Sequence, residues 1–387
     1  MKVYLDHAAS TPVKEEVLQE MLPFFREIFG NPSSVHTFGQ DARIAVEKAR
    51  RRVAAAIGAE PGEIIFTSGG TESDNWALRR GALAGAGKGK HIISTRVEHP
   101  AVVNCLREME KDGFEVSWLS SDATGSVNPE ELRSMIRPDT VLVTCQYVNN
   151  ELGTRMRVEE LGKICRENDI LFHVDAVQAL GKIPLFMKEL PVDLMSLSAH
   201  KIYGPKGIGA LYIRKGVHLS PMILGGAQER DLRAGTESVP AIVGFGKAAE
   251  LAAGCLEEER KQVEVLQNKL LEQIQDISGL HLNGPLGQAD RKMQMPGYIN
   301  LRLDGIEAES LMVLLDINGI AVSAGSACSS GSLEPSRVLL STGLSAMEAR
   351  ESIRITLGYE NTEEEMIYFA SKLKECAEQL RKIRSRS

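Results

Sequence analysis

The sequence predicts an α/β fold: a large domain with a mainly parallel seven-stranded sheet between helices, followed by a smaller α+β domain. Short β-rich runs alternate with amphipathic helical patterns, which is typical of a parallel sheet covered on both faces. At 387 residues the chain is long enough for two domains. The predicted strands are Glu63–Thr67, His91–Ser94, Glu115–Leu119, Thr140–Tyr147, Leu171–Val174, Leu194–Leu197 and Gly209–Ile213.

Helical patterns separate these strands and indicate where the second domain begins. Helices are predicted at Thr71–Leu83, Pro100–Lys111 and Val158–Asn168. An almost continuous helical pattern from Pro240 to Ile277 predicts one long helix between a large domain, residues 1–255, and a small domain, residues 256–387. The first residues are expected to pack with the small domain. Its predicted elements are strands near Gly297–Leu303 and Gly319–Ser323 and helices at Glu307–Leu315, Glu334–Leu340, Ser345–Glu351 and Glu363–Ile383, the last capped by Thr362.

The composition excludes several classes of function. The net charge is −7, and the one short basic run, Arg381–Arg386, lies at the C-terminal end, so direct nucleic-acid binding is not expected. No run of 18 apolar residues and no signal-peptide pattern occurs, so neither a membrane span nor export is predicted. Six widely spaced cysteines form no CxxC pair, so neither disulfides nor a metal site is expected. We expect a cytoplasmic protein with reduced thiols.

Lys201 stands in the most unusual local sequence of the chain. It follows an apolar strand in Ser198-Ala199-His200-Lys201 and precedes the turn Gly204-Pro205-Lys206-Gly207. Burying a lysine costs free energy because its ammonium group loses its hydration, unless the group is paired or takes part in a reaction. A desolvated lysine amine suits Schiff-base formation with an aldehyde cofactor, where it acts first as nucleophile and then as base. The alternative is a surface lysine that follows a strand.

A glycine-rich turn after the first predicted strand is a candidate anion site. In Thr67-Ser68-Gly69-Gly70-Thr71 the glycines allow backbone N–H groups to approach an anion, and the following helix adds a partial positive charge. No lysine stands where a Walker loop requires one. The alternative is a helix start capped by Thr71 or Ser68.

Polar residues that follow other strands are candidates for contacts with a flat ring. Asp175 ends a buried strand, where its carboxylate can hold a protonated pyridine nitrogen, and Gln178 follows three residues later. His99 lies between a strand and a helix and can stack on a ring or move protons. Asn150 lies in the turn after another strand. The alternatives are a capping aspartate, a structural histidine and an ordinary turn.

Cys328 and Arg354 are the remaining candidates. Cys328 lies in a run of small residues, GSACSSG, that has little to pack with, so its thiol is expected to be an accessible nucleophile rather than core filling. Arg354 lies in the strand-like run Glu351–Leu357, from which an inward guanidinium can bind a carboxylate. The alternatives are an incidental thiol and a surface ion pair. Together the five signals describe one ligand, pyridoxal 5′-phosphate, with an amino-acid substrate.

The sequence resembles the cysteine desulfurases of the NifS/IscS-like family, class-V aminotransferases within the fold-type I pyridoxal-phosphate enzymes. The resemblance covers nearly the whole chain. It is carried by the motifs YLDHAASTP, FGNPSSVH, TSGGTESDN, EHPAV, VNNELG, HVDAVQ, SAHKIYGPKG, RAGTES and GSACSSG.

The resemblance implies a role for each matching residue. Lys201 matches the Schiff-base lysine, Asp175 the partner of the pyridine nitrogen, and His99 the ring-stacking histidine. Cys328 matches the persulfide-forming cysteine and Arg354 the arginine that holds the substrate carboxylate. The further cofactor contacts implied are Gly70, Thr71, Ser198 and His200 on the phosphate side, Asn150 and Gln178 at the ring, and Thr236, which reaches the phosphate of the neighbouring subunit.

The implied reaction converts L-cysteine to L-alanine and leaves the sulfur atom on Cys328. A homodimer with shared sites is implied, as is a protein that accepts the sulfur, either an iron–sulfur scaffold or a tRNA-thiolation enzyme. The loop GSACSSG is similar to the long-loop class of the family and unlike its RxGHHC class. Relatives that feed a scaffold carry a longer C-terminal extension than the short segment that follows the last predicted helix here. The identity of the sulfur acceptor therefore stays open. An aminotransferase, a selenocysteine lyase, a binding protein without activity and a thiol sensor are the alternatives.

Overall fold

The computed structural model describes residues 1–85, 87–289, 291–324 and 334–384. Its strands are β1 (Val3–Tyr4), β2 (Ile64–Thr67), β3 (His91–Thr95), β4 (Glu115–Leu119), β5 (Thr140–Gln146), β6 (Leu171–Asp175), β7 (Leu194–Ser198), β8 (Gly209–Ile213), β9 (Leu280–Leu282), β10 (Tyr298–Leu303), β11 (Ile320–Ala321) and β12 (Ser352–Thr356). Strands β2 to β8 correspond to the seven predicted strands, with ends that differ by a residue.

The helices lie between and after these strands. They are Glu15–Met21, Pro23–Arg26, Thr37–Ala56, Gly70–Ala84, Pro100–Lys111, Pro129–Met135, Val158–Glu167, Val239–Gly254, Leu256–Ile274, Ala308–Ile317, Arg337–Ser341, Ala346–Arg350 and Glu363–Arg384. A further short turn, Gln228–Asp231, contains three successive residues with left-handed backbone angles: Glu229, Arg230 and Asp231.

The large sheet has the strand order β2-β8-β7-β6-β5-β3-β4. Strand β8 runs antiparallel to both of its neighbours, and the other pairs are parallel. Strands β5 to β8 are buried along their length, because helices cover both faces. The predicted fold class, a mainly parallel seven-stranded sheet in an α/β protein, is therefore confirmed.

The predicted continuous helix from Pro240 to Ile277 is wrong. The chain breaks at Cys255, and the two helices on either side of it meet at 71°. The first helix, Val239–Gly254, packs closely on Thr37–Ala56: a Cβ at Gly246 would lie 2.6 Å from Cα of Ala49. The second helix, Leu256–Ile274, buries its apolar side in a different cluster, so the chain turns to satisfy both contacts.

This second cluster joins the start of the chain to its last third. Val3 and Leu5 are buried in it beside residues from β10, β12 and the helix Glu363–Arg384. Strand β1 pairs in parallel with β11, and β12, β10 and β9 form a small antiparallel sheet. Thr362 accepts a hydrogen bond from the backbone N–H of Glu365 at 3.3 Å, as predicted for an N-cap. The division into domains at residue 255 stays a prediction.

Within the described ranges, no single helix combines the length and apolar character needed to cross a bilayer. The pair on either side of Cys255 meets the two requirements only jointly, across a bend of 71°.

Candidate functional site

A cleft of about 990 Å³, solvent space at its mouth included, opens beside the carboxyl ends of the parallel strands. In sheets of this kind ligands bind at that edge. The cleft brings together ten of the residues that the sequence singled out, whose individual roles stay predictions. They are Gly70, Thr71, His99, Asn150, Asp175, Gln178, Ser198, His200, Lys201 and Arg354.

Two predicted site residues do not line this cleft within one described chain. Thr236 is exposed, in the segment just before the helix Val239–Gly254. The nearby Arg233 forms an ion pair with Glu72, Nε to Oε1 at 2.9 Å, and so ties this segment to the glycine-rich turn. Cys328 lies in residues 325–333, outside the described residues.

Lys201 is partly buried at the centre of the cleft. It ends the 3₁₀ turn Ala199–Lys201 that follows β7. Its Nζ atom donates hydrogen bonds to the carbonyl oxygens of Ala8 and Ala9, both at 2.7 Å. The interpretation of Lys201 as an ordinary surface lysine is therefore wrong, because backbone carbonyls from the start of the chain fix its amine inside the cleft.

Asp175 ends β6 and is only 7% exposed. Its Oδ1 atom accepts a hydrogen bond from the N–H of Val177 at 3.0 Å. Burial raises the pKa of Asp175, while His99, the N–H of Val177 and Lys201 oppose the rise. A buried carboxylate with so few donors can accept strongly from a cationic N–H group.

Two further acids lie close enough to Asp175 to affect one another's pKa, and sequence reasoning missed both; one of them, Asp74, lines the cleft. Asp74 and Glu98 are each 1% exposed, and one carboxylate oxygen of each has no hydrogen-bond partner in the described chain. Burial raises the pKa of Glu98 to about 8, although Thr95 and the N–H of Gln146 donate to it. Burial and the nearby Asp175 raise the pKa of Asp74 well above its ordinary value. Burial thus keeps Glu98 mostly protonated at neutral pH and favours the protonated form of Asp74.

The glycine-rich turn leads into the helix Gly70–Ala84 without a side-chain cap. The alternative in which Thr71 or Ser68 caps this helix is wrong: the N-cap is Gly69, and no side chain accepts from the first turn. A Cβ at Gly70 would lie 2.7 Å from Cγ2 of Val177, so glycine is needed there. The first N–H groups of a helix have no partner within it, which leaves them available to an anion in the cleft.

His99 serves the fold and faces the cleft as well. It is the N-cap of the helix Pro100–Lys111, and its Nδ1 atom accepts from the N–H of Ala101 at 3.1 Å, so the ring proton belongs on Nε2. Burial, Lys201 and Arg337 lower the pKa of His99, and Asp175 opposes them. The imidazole is therefore neutral at neutral pH, as a ring-stacking and proton-moving group requires.

Arg354 reaches the cleft from β12 and is 2% exposed, so its interpretation as a surface residue is wrong. Its Nη2 atom lies 2.7 Å from Oδ1 of Asp6, and its Nη1 atom donates to the carbonyl of Asn150 at 3.1 Å. The buried Nε atom has no partner in the described chain. A guanidinium has five N–H donors, so donors remain for a carboxylate ligand.

Four of the five cysteines that the structure describes are poor nucleophiles. Cys105, Cys145, Cys165 and Cys376 are buried, and burial raises the pKa of each thiol. Cys255 is half-buried at the break between two helices rather than inside one. Cysteines in such positions fill space in the packing, so Cys328 is the candidate nucleophile.

Three comparisons place the chain among known proteins. Residues 3–369 match the family described as aminotransferase class-V. The cysteine desulfurase IscS of Dictyoglomus turgidum is 49% identical over 383 residues, which cover 99% of this chain and 96% of that protein. A NifS-like protein of known structure superposes with a TM-score of 0.91 at 40% identity, covering 98% of this chain and all of that one. A solved complex of SspA with cysteine has a TM-score of 0.80 at 35% identity and covers 93% and 100% of the two chains.

Proposed function

Since the chain belongs to the class-V aminotransferase family, we propose that it is a cysteine desulfurase that converts L-cysteine to L-alanine and transfers sulfur to Cys328 as a persulfide. A relative with that name is 49% identical over 99% of this chain. The observation that carries the proposal is the cleft itself, because it presents the Lys201 amine, the Asp175 carboxylate and an uncapped helix N-terminus to one ligand.

Pyridoxal 5′-phosphate is the cofactor that these groups fit. The donor set has an amine for an aldehyde, a buried carboxylate for a pyridinium and free N–H groups for a phosphate. In this proposal Gly70, Thr71, Ser198 and His200 hold the phosphate, and Asn150, Asp175 and Gln178 hold the ring. When bound, the cofactor supplies an electron sink that makes the Cα proton of an amino acid removable.

Each residue of this chain then has a distinct task in the proposed reaction. Lys201 takes the Cα proton, and Asp175 keeps the ring nitrogen protonated. Arg354 binds the substrate carboxylate, and His99, whose Nδ1 atom accepts from the N–H of Ala101, stacks on the ring and can donate its Nε2 proton. The Cys328 thiolate attacks the substrate sulfur, so that an S–S bond forms as the C–S bond breaks with its electron pair left on carbon.

We further propose a cytoplasmic homodimer in which Thr236 of each chain completes the phosphate contacts of its partner. Two observations support the dimer. Thr236 is exposed beside the Arg233–Glu72 pair rather than within its own cleft. An apolar face of exposed side chains also lies on the N-terminal helices and the segment between them: Phe25, Phe29, Val35, Phe38 and Ile44. The persulfide sulfur is proposed to pass to an acceptor protein, either an iron–sulfur scaffold or a tRNA-thiolation enzyme.

The test is the release of alanine and sulfide from L-cysteine in the presence of a thiol reductant. Wild-type protein should release both in equal amounts. Cys328→Ala should release alanine and sulfide at least about a hundredfold more slowly, because the attacking thiolate is gone. This variant should still bind the cofactor. Cys255→Ala is the matched control and should resemble wild type. Unchanged turnover in Cys328→Ala would overturn the persulfide route.

A further inference from the structure

The amide of Gln178 is held by two donors outside the cleft. Its Oε1 atom accepts from the hydroxyl of Tyr298 at 2.6 Å and from Nζ of Lys182 at 2.9 Å. Lys182 also donates to the Tyr298 hydroxyl at 2.7 Å, so the three groups form a closed triangle. Tyr298 is 3% exposed and Gln178 6%, which makes the contacts of the triangle strong ones.

The triangle fixes which end of the amide faces the cleft. Lys182 and Tyr298 line a second cavity on the other side of Ala8 and Lys201, and neither lines the cleft. The Oε1 atom therefore points away from the cleft. The Nε2 atom donates to the carbonyl of Ala8 at 2.9 Å, the same carbonyl that accepts from Lys201 at 2.7 Å. The Ala8 carbonyl favours the same orientation, and without the two donors on Oε1 it is the one remaining contact among the described residues that does so.

The protonation of Lys182 in this triangle depends on its burial and on nearby charges. Burial, aided by Lys201 and Arg354, lowers the pKa of Lys182 to about 7. Lys182 also lies 5.1 Å from the centre of the Tyr298 ring, which favours its ammonium form. Tyr298 comes from β10, and Gln178 and Lys182 follow β6, so the triangle joins the large sheet to the small one.

We propose that Lys182 and Tyr298 are positioning residues that orient Gln178, so that its amide presents N–H rather than carbonyl oxygen to the cofactor side of the cleft. The inference rests on the proposed function, in which Gln178 contacts the ring. An N–H donor stabilises a negatively charged ring oxygen, and a reversed amide would repel it. Loss of either positioning residue should therefore weaken cofactor binding and change the electronic state of the bound ring.

The experiment titrates purified, cofactor-free protein with pyridoxal phosphate and follows the visible absorption band. Lys182→Met and Tyr298→Phe should each raise the dissociation constant roughly tenfold and shift the band. Tyr298→Phe keeps the ring and loses only the hydroxyl, so it keeps the packing if Lys182→Met does not fold. Lys188→Met, an exposed position on the same segment, is the matched control and should bind as wild type.

A mutant cycle separates orientation of Gln178 from general support of the fold. Gln178→Ala should weaken binding, and in that background Lys182→Met and Tyr298→Phe should add almost nothing. Additive losses would show that they support structure only and would overturn the inference. Weak binding by Gln178→Ala together with wild-type binding and spectra of Lys182→Met and Tyr298→Phe would overturn it too.

Two other outcomes would count against the proposed function itself rather than against this inference alone. Wild-type affinity and an unchanged band in Gln178→Ala would remove Gln178 from the cofactor site and the inference with it. A wild-type protein that binds no pyridoxal phosphate at all would overturn the cofactor assignment. Failure of the inference alone is thus distinguishable from failure of the proposed function.

Discussion

At the scale of single residues, Asp175 combines a structural hydrogen bond with the charge that the proposed reaction needs. Asparagine at this position can still accept from the N–H of Val177, but it cannot hold a pyridinium. Asp175→Asn should therefore fold normally and lose about two to four orders of magnitude in alanine formation. The measurement is turnover at saturating L-cysteine, with circular dichroism as the folding control. Turnover within about threefold of wild type would contradict the role of Asp175.

The buried acid Glu98 should make stability depend on pH. Its pKa is about 8 in the folded chain and 4.5 ordinarily, so the folded state keeps a proton that the unfolded state releases between those values. Stability from this group is therefore greatest at low pH and falls as pH rises through this window, by about 1.4 kcal/mol per pH unit. Glu98→Gln should remove that slope, because its amide stays neutral.

The measurement is urea unfolding at about pH 5.5 and about pH 7.5. Glu98→Gln should gain stability relative to wild type at the higher pH. Glu110→Gln, an exposed position on the helix that follows Glu98, is the control and should keep the wild-type slope. Equal slopes in wild type and Glu98→Gln would mean that Glu98 is ionised in the folded protein.

Several of the cleft residues that the sequence indicated end strands or open helices. Lys201 and Asp175 could be found because such positions converge at one edge of a parallel sheet. Asp74 and Glu98 could not, since a carboxylate on a helix or in the turn that precedes one is ordinarily solvated. Only the tertiary packing shows that both are buried. The pairing of Arg354 with Asp6 likewise depends on a contact between the two ends of the chain.

At the scale of elements, the left-handed turn of Glu229, Arg230 and Asp231 depends on one buried ion pair. Arg50 binds both carboxylate oxygens of Glu229 at 2.7 Å, and each side chain is 3% exposed. Three successive residues in left-handed backbone angles are costly, so the pair must hold them. The turn leads into the segment of Arg233 and Thr236.

Replacing only one partner of this ion pair should lower the free energy of unfolding more than replacing both partners. Arg50→Met leaves the buried Glu229 carboxylate without its ion-pair partner. This variant should lower the free energy of unfolding by about 3–5 kcal/mol. In Arg50→Met/Glu229→Gln the amide can still accept from the N–H of Phe66, so part of the loss should return. Urea unfolding measures both variants. A double variant no more stable than Arg50→Met would contradict this account.

The break at Cys255 shows why helix continuity could not be predicted from the sequence. The helical periodicity of the sequence continues through Gly254 and Cys255, and no proline interrupts it. The segments before and after Cys255 each have a pattern that predicts a helix. The bend arises because the two helices bury their apolar sides in different clusters. Residues distant in sequence decide that geometry, and a local pattern does not contain them.

At the scale of the whole molecule, the apolar face of Phe25, Phe29, Val35, Phe38 and Ile44 is the expected subunit interface. Val35 is 90% exposed and Phe38 56%, and the Phe38 ring packs 5.6 Å from that of Phe29. Val35→Asp/Phe38→Asp should convert the dimer to monomers and lower activity, because Thr236 would no longer reach a partner's cleft. Analytical ultracentrifugation measures the change.

A matched control is Ile317→Asp, which changes an apolar side chain that is 74% exposed on the helix Ala308–Ile317. This variant should sediment as wild type. A Val35→Asp/Phe38→Asp protein that stays dimeric would place the subunit interface elsewhere.

The start of the chain is held by parts of the protein that are made last. Strand β1 pairs with β11, the N–H of Thr356 donates to the carbonyl of Leu5, and Ala8 supplies a carbonyl to Lys201. On the ribosome, Val3 and Leu5 must therefore wait until their partners in β11 and at Thr356 have emerged, whereas Ala8 can meet Lys201 earlier. The cleft cannot close around a cofactor before then. In the proposed function, cofactor binding is therefore a step that follows synthesis of the last third of the chain.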